Sequence, residues 1–168
     1  MKRPQADEFA SFYQTYIDTV SDNVIAELEH QISSFPAFLK GISNDKATFA
    51  YAEGKWTLKE LLGHVNDTER IMAYRALRIA RNDKTPLPGF DENTYVSNAH
   101  FADRTIESLA DEFATLRRAN MFLIKSFTEE EVDRTGISNN LPISVRALIY
   151  ILAGHLNHHR RIIEERYL

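Results

Sequence analysis

The chain has 168 residues, 43% of them hydrophobic and 26% charged, a balance typical of one globular domain with a sizeable core and not of a disordered chain. Its net charge of −4 and pI near 5.9 argue against a general affinity for nucleic acid or an anionic membrane. Because there is no cysteine, disulfides, zinc-thiolate sites and a cysteine nucleophile are excluded, and a metal would need His, Asp, Glu or water as ligands.

Neither a secretion signal nor a membrane span is predicted. The first residues are polar, and the most apolar stretch, 145–156, is shorter than the roughly 20 residues that cross a bilayer. We therefore expect a cytoplasmic protein that acts on a small-molecule substrate and not on nucleic acid or a membrane.

Apolar residues recur at helical spacing through most of the chain. They predict a short helix over 6–19, long helices over 22–39, 58–81 and 105–127, a helical turn from Thr128, and a last long helix from Ser144 nearly to the C-terminus. Thr57 and Glu60 form a capping box, whereas Pro36 is expected to kink or end the first long helix.

The remaining segments are expected to be connections. The longest irregular stretch should be 82–104, residues 136–142 should form a loop, and only 47–51 resembles a strand. These elements predict an all-α fold, a four-helix bundle with a short extra N-terminal helix, in a single domain over 1–168. The long connections over 40–56 and 82–104 permit crossovers, so a simple up-and-down order is not implied.

Two histidines on the last helix are candidate metal ligands. His155 and His159 are four residues apart on the apolar stripe of that helix, so both should point into the bundle. Burying two imidazoles is costly unless each finds a partner. A metal would satisfy them, but so would hydroxyls or backbone carbonyls, and both alternatives stay open.

His64 strengthens the metal interpretation, because a histidine facing the pair from another helix would complete a three-histidine site. It lies on or beside the inward face of the second long helix, where a lone core histidine is the alternative. Asp67, one turn later, either orients His64 or a metal-bound water, or pairs with Arg70 or Lys59 at the surface.

Other polar residues have less specific patterns. His30 and His100 have no partner pattern and are expected to have no role in the site. The loop over 82–100 either covers the mouth of the site or only ends the preceding helix. Arg75 and Arg78 either meet a carboxylate of a cosubstrate or remain solvated.

Several segments together resemble the DinB-like superfamily, in the order and spacing of that family and over nearly the whole chain. They are WTLKELLGHVNDTER (56–70), YR (74–75), RIARND (78–83), PLPGFD (86–91), VRAL (145–148) and AGHLNHH (153–159). The resemblance implies an up-down-down-up four-helix bundle, often a homodimer, with a divalent metal, nickel or zinc first and manganese, iron or cobalt as alternatives. Its ligands would be His64, His155 and His159.

The resemblance leaves the reaction open. Related YfiT-like proteins are described as metal-dependent hydrolases, other relatives transfer bacillithiol, mycothiol or glutathione, and some have no known activity. Three protein ligands leave a coordination position open for a water nucleophile or for a low-molecular-weight thiol. We rank thiol transfer to an electrophile slightly ahead of hydrolysis, with a non-catalytic, metal-stabilised bundle as the alternative class.

Overall fold

The computed structural model describes residues 1–168 and is predominantly helical. Its elements are α1 (Gln14–Ile17), α2 (Val24–Lys40), α3 (Leu58–Ala80), α4 (Glu92–Asn98), α5 (Ile106–Ser126), α6 (Glu129–Asp133), β1 (Thr135–Ser138), β2 (Leu141–Ser144) and α7 (Val145–Ile162). Short 3-10 turns cover Ser11–Tyr13, Asn44–Thr48 and Phe101–Asp103, and a π-helical turn, Ile163–Tyr167, follows α7. No helix has both the length and the apolar character needed to cross a membrane.

The four long helices form a bundle in which consecutive helices are not always neighbours. Around the bundle the order is α2, α5, α3, α7, so that α2 and α3 lie diagonally across from each other. The connection over 41–57 therefore crosses one end of the bundle, whereas the connection over 81–105 runs along the bundle, because the parallel helices α3 and α5 begin at the same end. The four-helix bundle is confirmed, and these two paths explain the two long connections.

Side-chain pairs define the direction of each helix. Glu29 pairs with Lys125 while Phe35 packs on Phe113, so α2 and α5 are antiparallel. Asn66 donates to the Leu109 carbonyl and Glu69 accepts from Arg117, so α3 and α5 are parallel. The first half of α7 packs with the second half of α3, and the second half of α7 packs with the first half of α3, so these two helices are antiparallel. The order is up-down-down-up, as expected.

Local sequence signals define most helix ends. The Thr57–Glu60 capping box is present at the start of α3, and a second box, Thr128–Glu131, starts α6. The Ser144 hydroxyl accepts from the Ala147 amide and caps α7. By contrast, α2 continues through Pro36 to Lys40, so the proline does not end this helix.

Four local predictions were wrong. The short N-terminal helix is present but covers only the 3-10 turn and α1 instead of 6–19, and the strand-like segment 47–51 begins inside the 3-10 turn Asn44–Thr48 and forms no strand. The loop expected over 136–142 is the hairpin of β1 and β2, closed by Asn139 and Asn140 at positive φ. The stretch 82–104 is not irregular throughout, because it contains α4 and the 3-10 turn at 101–103.

A layer of polar side chains divides the apolar core into two clusters. One cluster contains the second half of α3 with the first half of α7, and the other contains Leu58, Leu61, Leu62 and Val65 with Leu156 and Ile163. Between them lie the buried pair Arg117 and Glu69 and the three histidines His64, His155 and His159. The candidate site thus lies in the middle of the bundle.

Gly154→Ala is expected to lower the free energy of unfolding by about 1–3 kcal/mol, since it overpacks a tight contact. A Cβ at this position would lie 2.2 Å from the Tyr16 carbonyl oxygen, and backbone atoms of α1 would have to move. Urea denaturation measures the change. Gly41→Ala is the control: its Cβ would lie 3.4 Å from its nearest neighbour, and the two variants should differ clearly. Equal free energies of unfolding for the two variants would contradict the close contact between Gly154 and Tyr16.

Candidate metal centre

Two neighbouring antiparallel helices bring the three histidines together. His64 lies two turns into α3, and the Thr57 capping box fixes where that helix begins. His155 and His159 lie one turn apart on α7, on the face that continues its apolar stripe. All three are buried, with 7–8% of each residue exposed, as predicted from their positions on inward faces.

The three imidazoles meet through the same ring atom. The Nε2 atom of His155 lies 3.1 Å from Nε2 of His64 and 3.0 Å from Nε2 of His159. In a tetrahedral site with metal–nitrogen bonds of roughly 2.0–2.1 Å, two ligand nitrogens are about 3.4 Å apart. An outward movement of a few tenths of an ångström would therefore fit these nitrogens to one ion.

Hydrogen bonding among the imidazoles alone would not satisfy all three Nε2 atoms. A neutral ring nitrogen either donates one proton or accepts on one lone pair, and the His155 Nε2 atom faces two neighbours at once. A divalent cation would take one lone pair from each ring. These three form the only group of His, Asp or Glu side chains with ligand atoms close enough to hold an ion.

Burial keeps the imidazoles neutral, which is the form that binds a metal. Desolvation, with a smaller contribution from His158, lowers the pKa of His64 to about 4. The pKa values of His155 and His159 are also well below the usual value, first because of burial and then because of the neighbouring histidines. The donor set and its protonation state therefore fit a divalent metal.

Packing, more than hydrogen bonding, orients the rings. The Nδ1 atom of His159 is buried without a partner, whereas metal-bound histidines usually donate this N–H to a carboxylate or carbonyl. Trp56 lies 4.7 Å from the His64 ring and Tyr16 lies edge-on to His155 at 5.6 Å. Sequence reasoning missed both as site residues; the position of Trp56 directly before the capping box was the available signal.

An open cavity of about 390 Å³ leads to the histidines. Its lining contains many aromatic side chains and few charged ones. The lining residues are Phe12, Tyr13, Tyr16, Trp56, His64, Thr68, Met72, Arg75, Gly89, Phe90, Glu92, Asn139, His155 and His159. A second cavity of about 240 Å³ shares Trp56, Glu92 and His159 with the first. The histidine cluster is thus accessible to small molecules from two adjoining spaces.

The segment after α3 lies over this cavity. This agrees with the alternative in which the loop over 82–100 covers the mouth of the site. Gly89, Phe90 and Glu92 line it. The Leu87 amide donates to the Ile137 carbonyl, which ties the segment to β1. Asn139 reaches the same wall from the hairpin turn, a contribution that sequence reasoning missed.

The other polar candidates differ in whether they line the cavity. Asp67 lies 3.8 Å from Arg70, forms no hydrogen bond with a histidine and does not line the cavity, which matches the surface-pairing alternative. Arg78 pairs with Asp83 outside the cavity. Arg75, in contrast, is buried and lines the cavity. His30 and His100 lie away from the cluster.

The metal-free protein is expected to lose stability as the pH falls from about 6.5 towards 4. The folded state binds fewer protons than the unfolded state in this window, because the pKa values of the three buried histidines lie below the unfolded value. Each such histidine contributes up to about 1.4 kcal/mol per pH unit. Urea denaturation at several pH values measures this slope, and a His64→Gln variant should show a shallower one. Identical slopes would contradict the assignment.

Comparison with known proteins agrees with this architecture. Residues 27–163 match the family model described as the DinB superfamily, and the chain belongs to that family. A relative from Oceanobacillus iheyensis, named "Putative metal-dependent hydrolase", is 23% identical over 137 residues, which cover 80% of this chain and 78% of the relative.

A solved structure has the same fold. It is YfiT from Bacillus subtilis, described as a probable metal-dependent hydrolase with an unusual four-helix bundle topology. The TM-score is 0.66 at 15% sequence identity, and the match covers 98% of this chain and 91% of YfiT. At this identity the likeness establishes the fold.

Proposed function

We propose that His64, His155 and His159 bind one divalent metal and that the protein is a metal-dependent hydrolase of small molecules. The convergence of three neutral Nε2 atoms beside an open cavity is the observation that carries the proposal. A cation held by three protein ligands keeps a position open and lowers the pKa of a water or thiol that occupies it. Zinc and nickel suit imidazole ligands, with manganese, iron and cobalt as alternatives.

Glu92 is the proposed general base. It is the only carboxylate that lines either cavity, and it lines both of them, as Trp56 and His159 do. No other carboxylate lines either cavity, so Glu92 is the group available to accept the proton of an attacking water. Trp56 and Tyr16 exclude bulk water from the histidine rings by covering them.

Metal content and turnover test the proposal together. Protein purified without chelator or a nickel column should contain about one divalent ion per chain or bind one tightly when zinc or nickel is added. Loaded protein is then assayed with a panel of p-nitrophenyl esters and p-nitroanilides. Glu92→Gln should lower kcat by about 100-fold or more while leaving metal content unchanged. Asp67→Asn is the matched control, because Asp67 does not line the cavity.

Protein that neither contains nor binds a divalent ion would overturn the whole proposal. Metal binding that raises the melting temperature, without turnover of any substrate, would instead indicate a metal-stabilised, non-catalytic bundle.

Thiol transfer is the second candidate, because two cavities adjoin the histidines. A reaction between a thiol and an electrophile needs room for two molecules, and the spaces of about 390 and 240 Å³ meet at Trp56, Glu92 and His159. The names of the relatives support hydrolysis, so we now rank it ahead of thiol transfer. Cobalt-loaded protein mixed with cysteine should show a sulfur-to-cobalt charge-transfer band if a thiol binds, and absence of the band would exclude thiol transfer.

A further inference from the structure

We propose that Arg75 binds a carboxylate of the substrate, so that the cavity selects small acidic molecules with an aromatic or apolar body. The inference rests on the proposed hydrolase function and specifies its substrate class. It starts from a buried positive charge that has no negative partner within the protein.

Arg75 differs from the other buried arginine of the bundle. Only 4% of Arg75 is exposed, yet it forms no ion pair with an aspartate or glutamate. Arg117, with 0% exposed, donates to both carboxylate oxygens of Glu69 and also to Gln31. Because a buried charge is costly without a counterion, Arg117 has the arrangement expected of a structural residue, and Arg75 does not.

The contacts of Arg75 position its guanidinium without neutralising it. One Nη2–H donates to the Pro88 carbonyl at 2.8 Å, and Nη1 lies 3.5 Å from the Met72 sulfur, a weak acceptor. The Tyr13 side chain lies near the guanidinium, and the Phe90 ring lies 5.7 Å away. A guanidinium has five N–H groups, so donors remain for a ligand.

Arg75 belongs to the same face of α3 as His64. His64, Thr68, Met72 and Arg75 follow one another at spacings of four, four and three residues, and all line the larger cavity. His64 and Arg75 are about 16 Å apart along the helix axis, and helical side chains lean towards the N-terminus, which brings the guanidinium nearer to the histidines. One molecule can therefore reach from one group to the other along this wall.

The cavity favours a carboxylate over a doubly charged phosphate. Arg75 and Glu92 are the only charged side chains in its lining, and they form no ion pair with each other. A single guanidinium offers one bidentate pairing, which a carboxylate matches, while Glu92 opposes a second negative charge. The aromatic side chains around it supply contacts for an apolar body.

Paired probes in metal-free protein test the inference. 4-Phenylbutyrate and 4-phenylbutyramide differ only in the acid group, and removing the metal prevents the carboxylate from binding an ion directly. At pH 7.5, calorimetric titration should give about tenfold tighter binding of the acid. Arg75→Gln should remove this preference. Arg78→Gln is the matched control and should retain it, since Arg78 lies one turn away and pairs with Asp83 outside the cavity.

Three outcomes of these titrations would overturn the inference. They are equal binding of acid and amide by the parent protein, an unchanged preference in Arg75→Gln, and an equal loss in Arg78→Gln. If Arg75→Gln fails to fold, Arg75→Lys and a crystal structure of the parent protein with 4-phenylbutyrate replace it. The lysine variant should retain only part of the preference, and the carboxylate should lie against the Arg75 guanidinium. A carboxylate bound elsewhere would also overturn the inference.

Zinc titrations of the same variants separate this inference from the proposed function. Arg75→Gln should bind zinc as the parent protein does, because it removes none of the histidines. Zinc binding and ester hydrolysis without a preference for the acid would overturn the role of Arg75 alone. An Arg75-dependent preference in a protein that binds no metal would support the anion site and overturn the hydrolase proposal.

Discussion

His155→Ala is expected to lower the affinity for zinc or nickel by more than about 100-fold. Removing only the hydrogen-bond partner of a metal ligand costs up to about 100-fold in affinity, and removing the ligand itself should cost more. His155 would be the central ligand of the three, because its Nε2 atom lies within 3.1 Å of both other Nε2 atoms. Competition with a chromogenic chelator measures the affinity. The melting temperature gives a second readout, because a ligand at 1,000 times its Kd stabilises the folded state by about 4 kcal/mol.

His158→Ala is the matched control for this prediction. His158 lies on the same helix and its ring centroid is 5.1 Å from that of His159, but it is not part of the group whose ligand atoms converge. We expect this variant to bind metal like the parent protein and to show the same stabilisation. Comparable losses in both variants, or none in either, would exclude the three-histidine site.

Arg117→Met is expected to lower the free energy of unfolding by about 3–5 kcal/mol, since it leaves the Glu69 carboxylate buried without its partner. Arg117 Nε lies 2.8 Å and Nη2 2.9 Å from the two carboxylate oxygens, and both side chains are almost fully buried. Urea denaturation of metal-free protein measures the loss. The double replacement of Arg117 and Glu69 by methionine should recover most of it, because no charge then remains buried.

The exposed ion pair between Lys125 and Glu29 joins the same helix pair that Arg117 helps to pack, and it provides the control. Lys125→Met should cost less than about 1 kcal/mol, since solvent screens an exposed pair. A similar small cost for Arg117→Met would contradict the role assigned to the buried pair.

The buried pair also bears on the candidate site. Arg117 donates to the Leu152 carbonyl at 3.0 Å, and Gln31, which accepts from Arg117, donates to the Ala153 carbonyl at 3.1 Å. Both carbonyls lie within one turn of His155. The polar layer thus holds the histidine-bearing part of α7 against α2 and α5, and Arg117→Met should weaken metal binding as well as folding.

Much of the helical architecture was predictable from local chemistry. The Thr57 capping box and the Ser144 cap predicted where α3 and α7 begin, and these are the helices that carry the histidines. Helical periodicity placed His155 and His159 on an inward face. Such signals depend only on neighbours within one or two turns, so they can be read without the fold.

The local errors have physical reasons. Each strand of the hairpin has four residues, too few for a clear alternation, and the Asn139–Asn140 turn was the only strong signal. The first helix is shorter than expected, and α1 packs its backbone directly on Gly154, a contact between segments that are distant in the chain.

The sequence by itself determined the helices, their inward faces and, through the family resemblance, the histidines that belong together. Only the tertiary structure decided that Trp56 and Glu92 line the cavity of the histidines and that Asp67 does not. It also distinguished Arg75 from Arg78, two similar residues on one helix. Burial of Arg75 depends on Pro88 and Phe90 folding back over α3, and no periodicity within α3 encodes that contact. Helical position follows from short-range geometry, whereas burial and charge pairing follow from which distant segments pack together.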